Sequence, residues 1–140
     1  MDLVGDVGSI LSDRGFGTVG RDILLSQFAD FEGAPDDMIV LYEYAGLPLN
    51  DMDPAFCQMS LQVCVRSKAY TKALDLAQQI SALLRDIGNA VRSFEPIQVG
   101  NTRYYRFKAL QPPYPLKEDE MGRTYITQNY RVWARPMKEE

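Results

Sequence analysis

The sequence predicts an α+β fold over residues 1–140, a mainly antiparallel or mixed sheet packed by one long helix at about 69–87, with a short N-terminal helix. Three observations carry this. Residues 58–66 alternate, with Met59, Leu61, Val63 and Val65 on one face and Ser60, Gln62, Cys64 and Arg66 on the other, the pattern of a strand buried on one side. Ala73, Ala77, Ile80, Leu84 and Ile87 step by four, three, four and three, which makes a single apolar stripe on a helix. The other β-rich segments are short and bounded by Gly, Pro and Asn. With 140 residues, 46% of them hydrophobic and 24% charged, the chain has a globular balance and the length of one domain with one core.

Each element has its own local reason. Within 2–13, Leu3, Val7, Ile10 and Leu11 fall at helical spacing, and Asp2 and Asp6 lie near the positive end of the helix dipole. Gly15, Gly17 and Gly20 then make a loose loop. In 22–31 the apolar set Ile23, Leu24, Leu25 and Phe28 does not choose between helix and strand. Residues 33–37 read as a turn, 38–44 as a strand by β-branched and aromatic content, and 46–54 as a loop broken by Pro48 and Pro54. Ser67 is placed to cap the long helix and Gly88 to end it. Strands at 93–99 and 103–110 form a hairpin about Gly100-Asn101, and 124–134 is the last strand. Between them, Pro112, Pro113 and Pro115 enforce an extended, non-sheet path over 111–123, an arm outside the core. Residues 136–140 read as a frayed tail.

Composition excludes several functions. A net charge of −4 and a pI near 4.9 argue against a groove that neutralises many phosphates. The basic residues do cluster, as Arg103, Arg106 and Lys108 and as Arg131 and Arg135. Each run is too short for a nucleic-acid footprint and reads as a wet strand face or as interface salt bridges. No stretch approaches the roughly 20 apolar residues of a membrane span, and Asp2 and Asp6 stand where an export signal is positive. Cys57 and Cys64 lie seven positions apart on one strand; that separation of roughly 23 Å exceeds disulfide reach and predicts two free thiols in a reducing compartment.

Catalytic equipment is sparse. The absence of histidine removes the commonest general base and the commonest metal ligand, and two cysteines cannot build a structural zinc site. The serines lack a nucleophile-elbow context. No cofactor, no metal and no enzyme activity are expected. Gly15, Gly17 and Gly20 match a dinucleotide-binding spacing, with Asp36 and Asp37 roughly where a ribose-binding acid belongs. That fingerprint needs a strand before it, whereas an amphipathic helix precedes it here, so a flexible loop is the better reading. Glu118, Asp119 and Glu120 stand beside Arg123 and offer a paired-carboxylate hydrolase as an alternative. Nothing apolar surrounds them to raise a pKa, and a charged loop tip accounts for them.

Aromatic residues concentrate in the C-terminal third. Strict alternation puts Tyr105 and Phe107 on one face with Tyr104 on the other, and Tyr125 and Trp133 opposite Tyr130. Both sheet faces therefore carry aromatics, either as core and cross-strand pairs or with one face covered by a neighbouring subunit.

The order of segments resembles a known family. These are the strand ending in Tyr42-Glu43-Tyr44-Ala45-Gly46, the strand Leu61-Gln62-Val63-Cys64-Val65-Arg66, and the helix opening with Tyr70 and Ala73. The hairpin follows, then Pro112-Pro113-Tyr114-Pro115-Leu116, and Asp119-Glu120-Met121-Gly122-Arg123 leading into Asn129-Tyr130-Arg131-Val132. Over about 38–133 the chain is similar to the minor capsid and tail-terminator proteins of long-tailed bacteriophages; the N-terminal glycine-rich segment matches least. The resemblance implies a virion structural protein, assembled in the host cytoplasm, that forms a hexameric ring at the head-proximal end of the tail. Such a ring caps the tail tube and joins the head, with the tail tube protein and head-neck proteins as partners. DNA passes without specific binding, and no membrane is involved. The candidate interface residues are Tyr104, Arg106, Tyr114, Asp119, Glu120 and Arg123. A head-completion protein on the portal complex is the alternative. On this reading the polar second face of 58–66 borders a lumen, an acidic lumen repels passing DNA, and the stiff arm reaches a neighbour.

Overall fold

Asp2 caps the first helix, its carboxylate accepting the Gly5 N–H at 3.0 Å. The computed structural model describes residues 2–26, 33–44, 57–88 and 95–137. In it α1 (Leu3–Asp13) buries Leu3, Val7, Ile10 and Leu11. Of the ambiguous segment 22–31, Ile23–Leu25 is a short strand, β1, and 27–31 lies outside the described residues. Next come β2 (Met38–Tyr44), β3 (Cys57–Ser67) and α2 (Tyr70–Asp86), then β4 (Ile97–Val99), β5 (Thr102–Ala109), β6 (Tyr114–Glu118) and β7 (Thr124–Pro136). The expected loop at 46–54, the start of the strand at 93–99 and most of the tail at 136–140 also lie outside the described residues.

The fold is α+β. One mixed sheet runs β1-β2-β3-β7-β5-β4, parallel between β1 and β2 and antiparallel elsewhere. The long strand β7 pairs over 124–134 with β3, while its other edge is shared, 124–127 by β6 and 130–136 by β5. Both helices lie on one face of the sheet. There Met59, Leu61, Val63 and Val65 of β3 meet Ala73, Ala77, Ile80 and Leu84 of α2 and Leu3, Val7 and Leu11 of α1 in one apolar cluster. Ile80 is fully buried at its centre. Ile80→Ala is expected to destabilise the protein by about 2–5 kcal/mol, through lost burial and the cavity left behind, as read from chemical denaturation.

The helix α2 ends as predicted. Gly88 follows the C-cap Ile87 with φ +67°, and a Cβ there would stand 1.6 Å from the Tyr105 carbonyl oxygen. Its start differs from the expectation. The N-cap is Ala69, without a side-chain cap, and Ser67 instead accepts the Ala69 N–H at 3.3 Å while donating to Asp37 at 2.7 Å. Ser67 still belongs to β3, so its hydroxyl holds the strand-to-helix corner and the 33–37 segment together.

Three further differences have physical causes. The arm at 111–123 does enter the sheet: Tyr114 pairs with Thr127 and Pro115 with Ile126, despite the prolines. An edge strand needs N–H donors toward only one neighbour, and the register shift between Pro115 and Lys117 absorbs the misfit. Second, a bulge between Tyr104 and Arg106 turns Tyr104 onto the same face as Phe107, where the rings stack at 5.7 Å. Tyr105 is left half-buried on the other side. Third, the second face of β3 is not uniformly open. Cys64 joins Leu24, Met38, Val40 and Tyr125 in a smaller apolar cluster, and burial pushes its thiol up to about 11 although Lys117 and Arg66 pull it down. Arg66 beside it is fully buried. Tyr125 and Trp133 do lie opposite Tyr130, whose hydroxyl donates to Gln128 at 2.5 Å and is pushed by burial up to about 12.

Candidate functional site

The six candidate interface residues divide into two groups. Tyr104, Asp119 and Arg123 are committed inside the chain, whereas Arg106, Tyr114 and Glu120 are exposed.

Tyr104 is 0% exposed, and its hydroxyl donates to the Asp6 carboxylate, tying β5 to α1. Burial raises the Asp6 pKa, opposed by that hydrogen bond, and both burial and Asp6 raise the pKa of Tyr104. Tyr104 is therefore a core residue, placed there by the bulge that strict alternation misses.

Asp119 and Arg123 build a polar clamp at the β6–β7 turn. The carboxylate of Asp119 accepts the N–H groups of Met121 and Arg123 at 3.0 Å each, the Arg123 guanidinium at 2.7 Å and the Tyr125 hydroxyl at 2.9 Å. Arg123 is only 4% exposed and also reaches Asp36 at 3.9 Å. From β3, Arg66 donates to the carbonyls of Pro35 at 2.7 Å and Asp36 at 3.1 Å. Lys68 and Lys72 pair with Asp36 and Asp37 at the exposed rim, where such pairs add little. The clamp fastens the 33–37 turn, the end of β3 and the start of β7 to one another. Asp119 and Arg123 lie in the loop between β6 and β7 as expected, but Arg123, expected outside the core, is buried in this clamp.

The same contacts weaken the hydrolase reading. Partial burial alone would raise the Asp119 pKa, but the donors of Arg123, Tyr125 and Met121 hold its carboxyl well below the usual carboxylate range, the opposite of what a general acid needs. A carboxyl lowered by native contacts stabilises the fold fully above its unfolded pKa of about 4. That contribution is lost as pH falls toward the folded-state value. Asp119→Asn is thus expected to lower the denaturation midpoint at neutral pH and to flatten the acid limb of the stability profile below pH ~4; an unchanged acid limb would contradict the clamp.

The dinucleotide-like spacing also resolves locally. Gly15, with φ +81°, and Gly20, with φ +93°, turn the chain between α1 and β1, and Asp22 accepts the Thr18 N–H at 2.6 Å within that loop. The loop follows a helix and enters a strand, the reverse of the order the fingerprint requires. A cleft of about 360 Å³ between α2 and 109–113 is lined by Gln78, Ser81, Arg85, Gln111, Pro113 and Gln128. Among the described residues, no three His, Cys, Asp or Glu side chains gather as a metal set, and no helix is long and apolar enough to cross a membrane.

Pairing between distant strands creates a surface that neither basic run reveals by itself. On the sheet face away from the helices, Arg103 lies directly across from Arg135, Lys108 from Arg131, and Arg106 from Trp133. The Arg106 guanidinium sits 5.9 Å from the centre of the Trp133 ring, a cation–π distance. Beyond β7, Gln58 and Ser60 of β3 pair with Trp133 and Arg131, and Tyr44 of β2 with Ser60. The register of β5 on β7, bulge included, sets this arrangement, so only a long-range pairing signal in the sequence could have found it.

Compared with known families, residues 10–135 match the model of a family described as bacteriophage tail terminator protein. No match is found among curated protein sequences.

Proposed function

Since the chain belongs to the bacteriophage tail terminator protein family, we propose that this phage tail protein caps the tail tube as an oligomeric ring and presents the surface that joins tail to head. The observation that carries the reading is the extent of the match: 10–135 takes in every strand of the sheet and the whole of α2 but for the last residue of β7. The unit being matched is therefore the sheet with its open face and not an isolated motif. That open face bears Arg, Trp and Tyr, the side chains that concentrate where proteins meet. The family is a structural one, and the engaged state of Asp119 supports a role without catalysis.

On this reading the protein sits at the head-proximal end of the tail, with the tail tube protein on one side and head-neck proteins on the other. A net charge of −4 suits a passage through which DNA moves without being held. A head-completion protein bound to the portal complex is the competing placement. Co-sedimentation separates the two: the purified protein is expected to pellet with isolated tail tubes and to stay in solution with tail-less, DNA-filled heads. Pelleting with heads and not with tubes would reverse the assignment.

A further inference from the structure

Building on the ring reading, we propose that neighbouring copies join head to tail, the exposed β6 arm of one copy seating on the basic sheet face of the next. The face carries the cations Arg103, Arg106, Lys108 and Arg131 and the arm carries the exposed carboxylates Glu118 and Glu120.

On the basic face, two pairs of like charges, Arg103 with Arg135 and Lys108 with Arg131, stand directly across from each other on β5 and β7. Directly opposed like charges disfavour the sheet. Among the described residues, no carboxylate lies within ion-pair distance of Arg103, Arg106, Lys108 or Arg131. Tyr44, 42% exposed, and Trp133 flank these cations, so the face offers apolar contact beside its charge.

At the other end of β7 the β6 arm brings Glu118 and Glu120 to the surface around Lys117, whose ammonium is turned over the Tyr125 ring at 4.7 Å from its centre. All five residues of β6 are exposed, and Leu116 and Met121 are the two most exposed large apolar side chains among the described residues. Glu118 and Glu120 stand beside them, also exposed, while Asp119 between them is held by the clamp. The β7 backbone from Thr124 to Arg131 spans roughly 23 Å, well beyond a Debye length of about 8 Å. The arm cannot neutralise the basic face of its own chain, but it can neutralise that of a neighbour. A contact between two different patches is heterologous, the kind that closes into a ring when the rotation between copies allows. The overall charge of −4 favours this occupant over a nucleic acid, which the remainder of the surface would repel.

The test is a charge exchange at exposed positions. Native mass is measured by analytical ultracentrifugation, alone and with isolated tail tubes, for the wild type, for Glu118→Lys/Glu120→Lys and for Arg103→Glu/Lys108→Glu. The wild type is expected to assemble, each double variant alone to remain monomeric, and their equimolar mixture to form a one-to-one heterodimer, the intact Glu118/Glu120 arm of one variant seating on the intact basic face of the other. The Arg103→Glu/Lys108→Glu monomer should melt no lower than the wild-type monomer, since both like-charge pairs become opposite pairs; this separates lost contact from lost fold. Wild-type-like assembly of both variants, or no heterodimer on mixing, would overturn the proposed contact and leave the ring reading standing. A wild type that stays monomeric alone and on tail tubes would overturn both.

Discussion

Gly88→Ala is expected to destabilise the protein by more than about 3 kcal/mol, since a left-handed backbone strained by a side chain costs ~1–3 kcal/mol before any steric clash is added. Here the clash is with backbone. The new Cβ would lie 1.6 Å from the Tyr105 carbonyl oxygen and 2.7 Å from its carbon, and neither can rotate away as a side chain can. Relief requires moving the end of α2 away from β5, which would loosen the packing of Leu84 and Ile87 against the core. Equilibrium denaturation measures the effect. A change under 1 kcal/mol, small even against the strain alone, would mean that the helix end is not seated on β5 as described.

Arg66→Ala carries the second largest expected loss, about 3 kcal/mol or more, because hydrogen bonds to a charged group contribute roughly 1.5–3 kcal/mol each and a large buried side chain is removed as well. Arg66 is the largest of the fully buried side chains, and its donors hold the carbonyls of Pro35 and Asp36. Without it those carbonyls lose their partner and the 33–37 turn comes away from the end of β3. Arg66→Lys should recover only part of the loss, since an ammonium cannot reproduce the planar fork that reaches both carbonyls. Faster proteolysis near residues 33–37 in Arg66→Ala, with protection of α2 retained, is the accompanying expectation.

How far the sequence specifies this molecule depends on the range of the interactions. The alternation at 58–66 and the four-three stepping of α2 are local, and both elements form where periodicity puts them, as do β2 and the hairpin at Gly100-Asn101. Pro115 misleads because proline forbids a central strand but not an edge, and edge status depends on which strands lie nearby. Tyr104 misleads because one extra residue at the bulge reverses the faces that follow from counting by two. Arg66 reads as part of an open polar strand face and Arg123 as an interface residue on an exposed arm, since nothing local announces that the 33–37 segment, some thirty residues earlier than Arg66, closes over them. Of the predicted interface, Arg106, Tyr114 and Glu120 are exposed while Tyr104, Asp119 and Arg123 are spent on the fold. The basic face is the clearest case of information held between strands. Its two halves are more than twenty residues apart, and only the pairing of β5 with β7 joins them.

The two destabilising variants probe the fold; the proposed capping of the tail tube is tested separately. The most direct measurement is the length distribution of tail tubes, polymerised from the tube protein, before and after addition of this protein and seen by negative-stain electron microscopy. Capping predicts that elongation stops on addition and that a ring of density marks one end of each tube. Continued elongation at the unperturbed rate, with bare ends, would contradict the account.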